Sequence, residues 1–188
     1  MSSSVAAGRF ASNIGQFIKF GMVGGSGTVV NLAVSYIAVK IALATGGITP
    51  DDPFVNLFGS AFHVRWYHVF QTIAFLVANT WNYQLNRMWT FKSVEKVSWL
   101  RGYVAFLVAG LGAYVVSLLV LTLFMNPNSP VGLPSDIFDN STGLRTKFYW
   151  ATAGSILIAM PINFIINKLW TFRSSPTAPV LVEHTEPA

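Results

Sequence analysis

Residues 82–92 read NYQLNRMWTFK, and residues 163–173 read NFIINKLWTFR. Five of the eleven positions are identical, five exchange similar residues, and only Gln84 against Ile165 differs in kind. Each copy closes a long apolar stretch. A polar-aromatic sequence that recurs at the ends of two hydrophobic segments marks an internal duplication. In membrane proteins, duplicated units often build a transport pathway between them.

The stretches leading into the two copies set the fold class. Hydrophobic residues make up 53% of the 188-residue chain and charged residues 10%, a balance that excludes an ordinary soluble domain. A spanning helix needs roughly 20 mostly apolar residues, and four segments meet that need, at residues 17–43, 69–89, 101–125 and 148–170. The first is too long for a cleavable signal peptide and lacks a small-residue cleavage site after a short apolar core. The expected fold is an all-α membrane protein, with four transmembrane helices arranged as two parallel two-helix repeats. Repeat one covers about residues 17–92 and repeat two about residues 99–173. They are parallel because two crossings return the chain to its starting side.

The formal charge of +5 reads as topology rather than as nucleic-acid binding. Arg9 and Lys19 precede the first span, Arg87, Lys92, Lys96 and Arg101 lie between spans two and three, and Lys168 and Arg173 end span four. The other two loops mix Lys40, Arg65, Arg145 and Lys147 with Asp51, Asp52, Asp136 and Asp139. Lys and Arg favour the cytoplasmic side, which puts both termini and the middle loop there, in the cytoplasmic (inner) membrane of the cell. Residues 1–16 read as a mobile cytoplasmic tail, and residues 174–188, rich in Pro, Thr and Ser, as a disordered one. In the first outer loop, Asp52 before Pro53 is a helix-start signal and predicts a short interfacial helix over residues 54–64. Trp66, Tyr67 and His68 fall where an aromatic belt belongs. Pro161 is expected to kink span four.

On an ideal helix Asn82, Asn86 and Trp89 share one stripe, which Asn79 extends, and Arg87 points aside next to Tyr83. Asn163, Asn167, Lys168 and Trp170 repeat the set. Amides can donate to and accept from sugar hydroxyls, tryptophan offers a flat apolar face, and Arg or Lys complements phosphate. Together they suit a phosphorylated, glycosylated lipid at the cytoplasmic surface. The plainer reading stays open: Trp89, Trp170, Lys92 and Arg173 also fit interfacial anchors, and the amides could bond between helices. The glycines at 21, 24, 25 and 27 read as packing positions. Asn31 reads either way, and His63 and His68 read as interfacial.

Every Asp and Glu lies in a loop or tail, whereas proton-coupled pumps usually place a carboxylate within the membrane. The chain has no cysteine, no phosphate-binding glycine loop with lysine and no nucleophile–base pair in a defined cleft. It therefore reads as a non-enzyme without metal or cofactor.

FIKFGMVGGSGT at the start of span one, the four spans, and two copies of N-x3-N-[RK]-x-W-T-F resemble the GtrA-like family of small polytopic membrane proteins. The resemblance covers about residues 17–173. It implies passive flipping of a polyprenyl-phosphate-linked monosaccharide to the outer leaflet for cell-surface polysaccharide synthesis. The motif positions would bind that lipid: Asn82, Asn86, Arg87 and Trp89, with Asn163, Asn167, Lys168 and Trp170. The alternative is an assembly factor that recruits a glycosyltransferase using such a lipid. Membrane lipids, that enzyme and a second copy of the chain in a homodimer are the partners expected.

Overall fold

The computed structural model describes residues 2–90 and 98–173, with the side chains of residues 19, 21–89 and 98–161. The connector carrying Lys92 and Lys96, and the tail expected to be disordered, lie outside the described residues.

Four long helices dominate. Helix α1 runs from Ser2 to Gly46, α2 from Trp66 to Leu85, α3 from Trp99 to Met125 and α4 from Lys147 to Arg173. Residues 2–16, expected to be a loose tail, are instead the first turns of α1. They hold no proline and several alanines, so nothing in them interrupts a helix that the next segment already propagates. Helix α1 ends where Gly47 takes a left-handed φ of 64°. Its N–H still bonds the Leu43 carbonyl at 3.0 Å, the arrangement that closes helices with glycine just past the end.

Between α1 and α2 the expected interfacial helix is absent. Strands β1 (Pro53–Asn56) and β2 (His63–Arg65) form an antiparallel hairpin there. The Asp52 carboxylate bonds backward to the Thr49 N–H at 2.6 Å, capping the preceding turn instead of a following helix. Phe58 and Gly59, at φ 54° and 73°, then reverse the chain in a left-handed conformation that no helix would accept. The loop before α4 contains a single 3-10 turn, Gly143–Arg145.

Helix α1 packs mainly on α2, and α3 on α4, so the chain is two helical hairpins side by side. An apolar cluster including Val39, Phe70, Leu121 and Phe148 ties all four helices together at the end bearing the loops. Toward the other end, where the repeated motif lies, the interior becomes polar. The outward faces are apolar: Val104, Val108, Val115, Leu119 and Leu123 are all exposed along α3. A ridge of that size on a monomer's surface marks contact with a partner or a membrane.

Residues 21–46 and 99–125 are long and apolar enough to cross a bilayer, with mean hydropathy 1.7 and 2.5. Helix α2 has the length, at 20 residues, but Gln71, Asn79, Asn82 and Gln84 lower its hydropathy. Helix α4 continues through Pro161 to Arg173.

Candidate functional site

Gln71, Phe75, Asn79 and Asn82 on α2, and Asn86 just past its end, follow one another at intervals of four, four, three and four residues. That spacing puts them on a single face. Opposite it, α1 presents Gly24, Gly27 and Asn31, α3 presents Ala113, Tyr114 and Ser117, and α4 adds Ile156, Ala159 and Met160. These four faces enclose a cavity of about 500 Å³, within the range that holds small-molecule ligands. Among the described residues, no charged one lines it.

The small residues of α1 have distinct roles. A Cβ on Gly27 would run into the Asn82 amide, whereas one on Gly24 would meet nothing within 4 Å. Gly27 therefore permits the close seating of Asn82, and Gly24 leaves the cavity open. On α3, Gly110 gives the same room to Asn79, whose Nδ2 lies 2.8 Å from where a Cβ would be.

The polar atoms facing this space are incompletely satisfied. Asn31 Oδ1, Gln71 Oε1, Asn79 Oδ1 and Asn82 Oδ1 are buried without a hydrogen-bond partner among the described residues, and so is Asn86 Oδ1 just beyond the cavity. An unmet buried polar group costs about 1–3 kcal/mol, so several around one cavity are a sizeable burden for a small bundle. Other polar groups between helices find one another: Thr72 and Tyr114 hydroxyls at 2.6 Å, Thr80 and Tyr103 at 3.1 Å, and His68 Nε2 with Thr122 Oγ1 at 3.1 Å, while Ser35 Oγ and Thr152 Oγ1, away from the cavity, are also buried without a partner among the described residues.

At the motif end, the Lys19 ammonium sits 5.6 Å from the centre of the Trp89 ring, a cation–π contact. The Arg87 guanidinium donates to the Tyr83 hydroxyl at 2.9 Å, and Tyr83 donates in turn to the Trp99 carbonyl at 3.0 Å. Asn86–Thr90 is a π-helical turn. Such wide turns occur frequently at functional sites. Away from this end, burial raises the Asp51 carboxyl above its ordinary value, partly offset by the positive charges of Lys147 and Arg65.

A family model, the GtrA/DPMS transmembrane domain, matches residues 19–131. The chain belongs to that family. It is a membrane protein, and the GtrA/DPMS match takes in α1, α2 with the first motif, and α3. The second motif lies beyond the matched residues. Searches of curated proteins and of solved structures give no match.

The residues singled out by sequence fall in three places within this GtrA/DPMS chain. Asn82 lines the cavity, and Asn86 is buried one turn closer to the motif end. Trp89 is 40% exposed and meets Lys19, while Arg87 is held on Tyr83, as its helical offset predicted. Asn82 and Trp89 both meet α1, at Gly27 and Lys19, with the π-helical turn Asn86–Thr90 carrying Trp89. Asn163, Asn167, Lys168 and Trp170 lie on the backbone of α4, and their side chains are outside the described residues. Gln71 escaped the sequence reading, although its place on the α2 face of Asn79 and Asn82 would have disclosed it. Lys19 read only as a topology signal, since its pairing with Trp89 depends on how α1 crosses α2.

Proposed function

We propose that this chain passively flips a polyprenyl-phosphate-linked monosaccharide across the cytoplasmic membrane, for use in building cell-surface glycans. All four long helices span the bilayer in this reading, as two parallel hairpins with both termini in the cytoplasm. The observation that carries it is Asn82: a motif amide, its oxygen unpaired, opening on a cavity walled by all four helices. Membership of the GtrA/DPMS family supports the same substrate class.

The lipid arrives with its phosphate at the headgroup level, near Lys19, Arg87 and, from the second copy, Lys168. Asn82 and Asn86, with Asn163 and Asn167, engage the sugar, while Trp89 and Trp170 flank it. The prenyl chain stays in the hydrocarbon against the apolar outer faces. Net direction comes from consumption of the lipid-linked sugar on the far side, with no catalytic group required.

The test is transport of a fluorescent polyprenyl-phosphate sugar in vesicles reconstituted with the native chain or with Asn82→Leu/Asn163→Leu. Loss of transport in a folded double variant is expected, and full retention would remove these residues from the pathway. An assembly factor for a glycosyltransferase would need its amides directed at a partner helix. In the described motif copy Asn86 is buried within the bundle and the Asn82 amide lies against Gly27 of α1, which favours the flippase.

A further inference from the structure

Above the motif, Gln71, Asn79 and Asn31 are 2%, 7% and 5% exposed, and all three line the cavity with an unpaired oxygen. A chain of hydrogen bonds fixes which atom of Gln71 is left over. The Ser155 hydroxyl donates to the Thr152 carbonyl at 2.8 Å, so its lone pairs receive the Ser117 hydroxyl at 2.9 Å. Ser117 in turn accepts from Gln71 Nε2 at 3.3 Å. One of the two Nε2 N–H groups of Gln71 is thereby committed, and its Oε1 is the buried atom without a partner among the described residues. A ligand whose groups both donate and accept hydrogen bonds would suit such a set of amides.

The walls narrow the choice. Phe75 and Tyr114 stack with ring centres 4.5 Å apart, giving an aromatic surface beside the amides. Among the described residues, no lysine or arginine lines the cavity to neutralise an anion, and no carboxylate lines it to neutralise a cation. Amides beside an aromatic wall, without charge among the described residues, fit a neutral polyhydroxylated ring, whose hydroxyls both donate and accept. Along the helix, Asn79 lies about 12 Å and Gln71 about 24 Å from Arg87, beyond reach of a sugar whose phosphate still rests at the motif.

We infer that Asn31, Gln71 and Asn79 form a mid-bundle station, separate from the repeated motif, that binds the hydroxyls of an uncharged sugar during its passage. The inference rests on the flippase reading and adds a selection to it: headgroups carrying a carboxylate are refused at this station.

Three synthetic probes test it against the full-length protein in nanodiscs: a polyprenyl-phosphate hexose, the same polyprenyl phosphate without sugar, and the same lipid bearing a uronic acid. Their binding is measured for the native chain, for Gln71→Leu/Asn79→Leu and for Gly24→Val. The last variant fills the cavity from a position where a Cβ meets no neighbour within 4 Å. The native chain should prefer the hexose over both other probes by at least about tenfold, the worth of one or two hydrogen bonds. Both variants should lose that preference while still unfolding cooperatively on heating.

Equal binding of hexose and bare phosphate by the native chain would overturn the station but leave lipid-phosphate recognition standing. Retention of the hexose preference in both variants would overturn it too, as would sodium ions alone occupying the cavity and displacing the hexose. Binding of none of the probes above bulk phospholipid would overturn the flippase reading itself.

Discussion

Gly27 and Asn82 compete for one space. A methyl at position 27 meets the Asn82 amide, so Gly27→Ala should destabilise the bundle by about 1–3 kcal/mol through overpacking. Adding Asn82→Ala should restore most of the loss, and thermal unfolding of the two single variants, the double variant and the native chain reads the coupling directly. A second residue-scale prediction concerns Asp51. Burial raises its carboxyl above 3.8 in the folded protein, so its neutral form is the one that folding favours. Its stabilising contribution is complete below pH 3.8 and is lost as pH rises through the folded value. The stability difference between Asp51→Asn and the native chain should therefore grow in the variant's favour across that rise, in melting curves taken at successive pH. Sequence identified Asn82 and Asn86 because they recur 81 residues later. Asn31 could not be assigned, since one polar residue in an apolar span gives no sign of what it faces.

Among the elements, the long helices were legible from hydropathy because their outer faces must be apolar whatever their neighbours do. Their ends were less so. The start of α1 and the hairpin 53–65 both depend on competition between local signals, and at Asp52 the backward turn won over the forward helix. The π-helical turn at Asn86–Thr90 carries no composition cue at all. It leads into the connector 91–97, and on its flank Tyr83 joins α2 to the first residue of α3 by accepting from Arg87 and donating to the Trp99 carbonyl. Tyr83→Phe keeps the ring contacts with Trp99 and Tyr103 but removes both bonds. It should lower stability by about 1–3 kcal/mol, measured by thermal unfolding. An unchanged melting temperature would mean that the ring alone holds the junction.

At the scale of the whole molecule, the four helices line a cavity of unpaired amides, with Lys19 and Arg87 at the motif end. Among the described residues nothing charged lines that cavity, and every Asp and Glu of the sequence lies outside the expected spans. Transport in reconstituted vesicles should therefore be unaffected by collapsing a pH gradient with an uncoupler, whereas a proton-coupled carrier would lose accumulation. The central claim is that the amides recognise a sugar-bearing lipid, and native mass spectrometry of the gently extracted protein addresses it most directly. The account predicts a co-purifying polyprenyl-phosphate sugar, absent from the folded Asn82→Leu/Asn163→Leu variant. Bulk phospholipid alone on the native chain, or the same sugar lipid on both proteins, would contradict it.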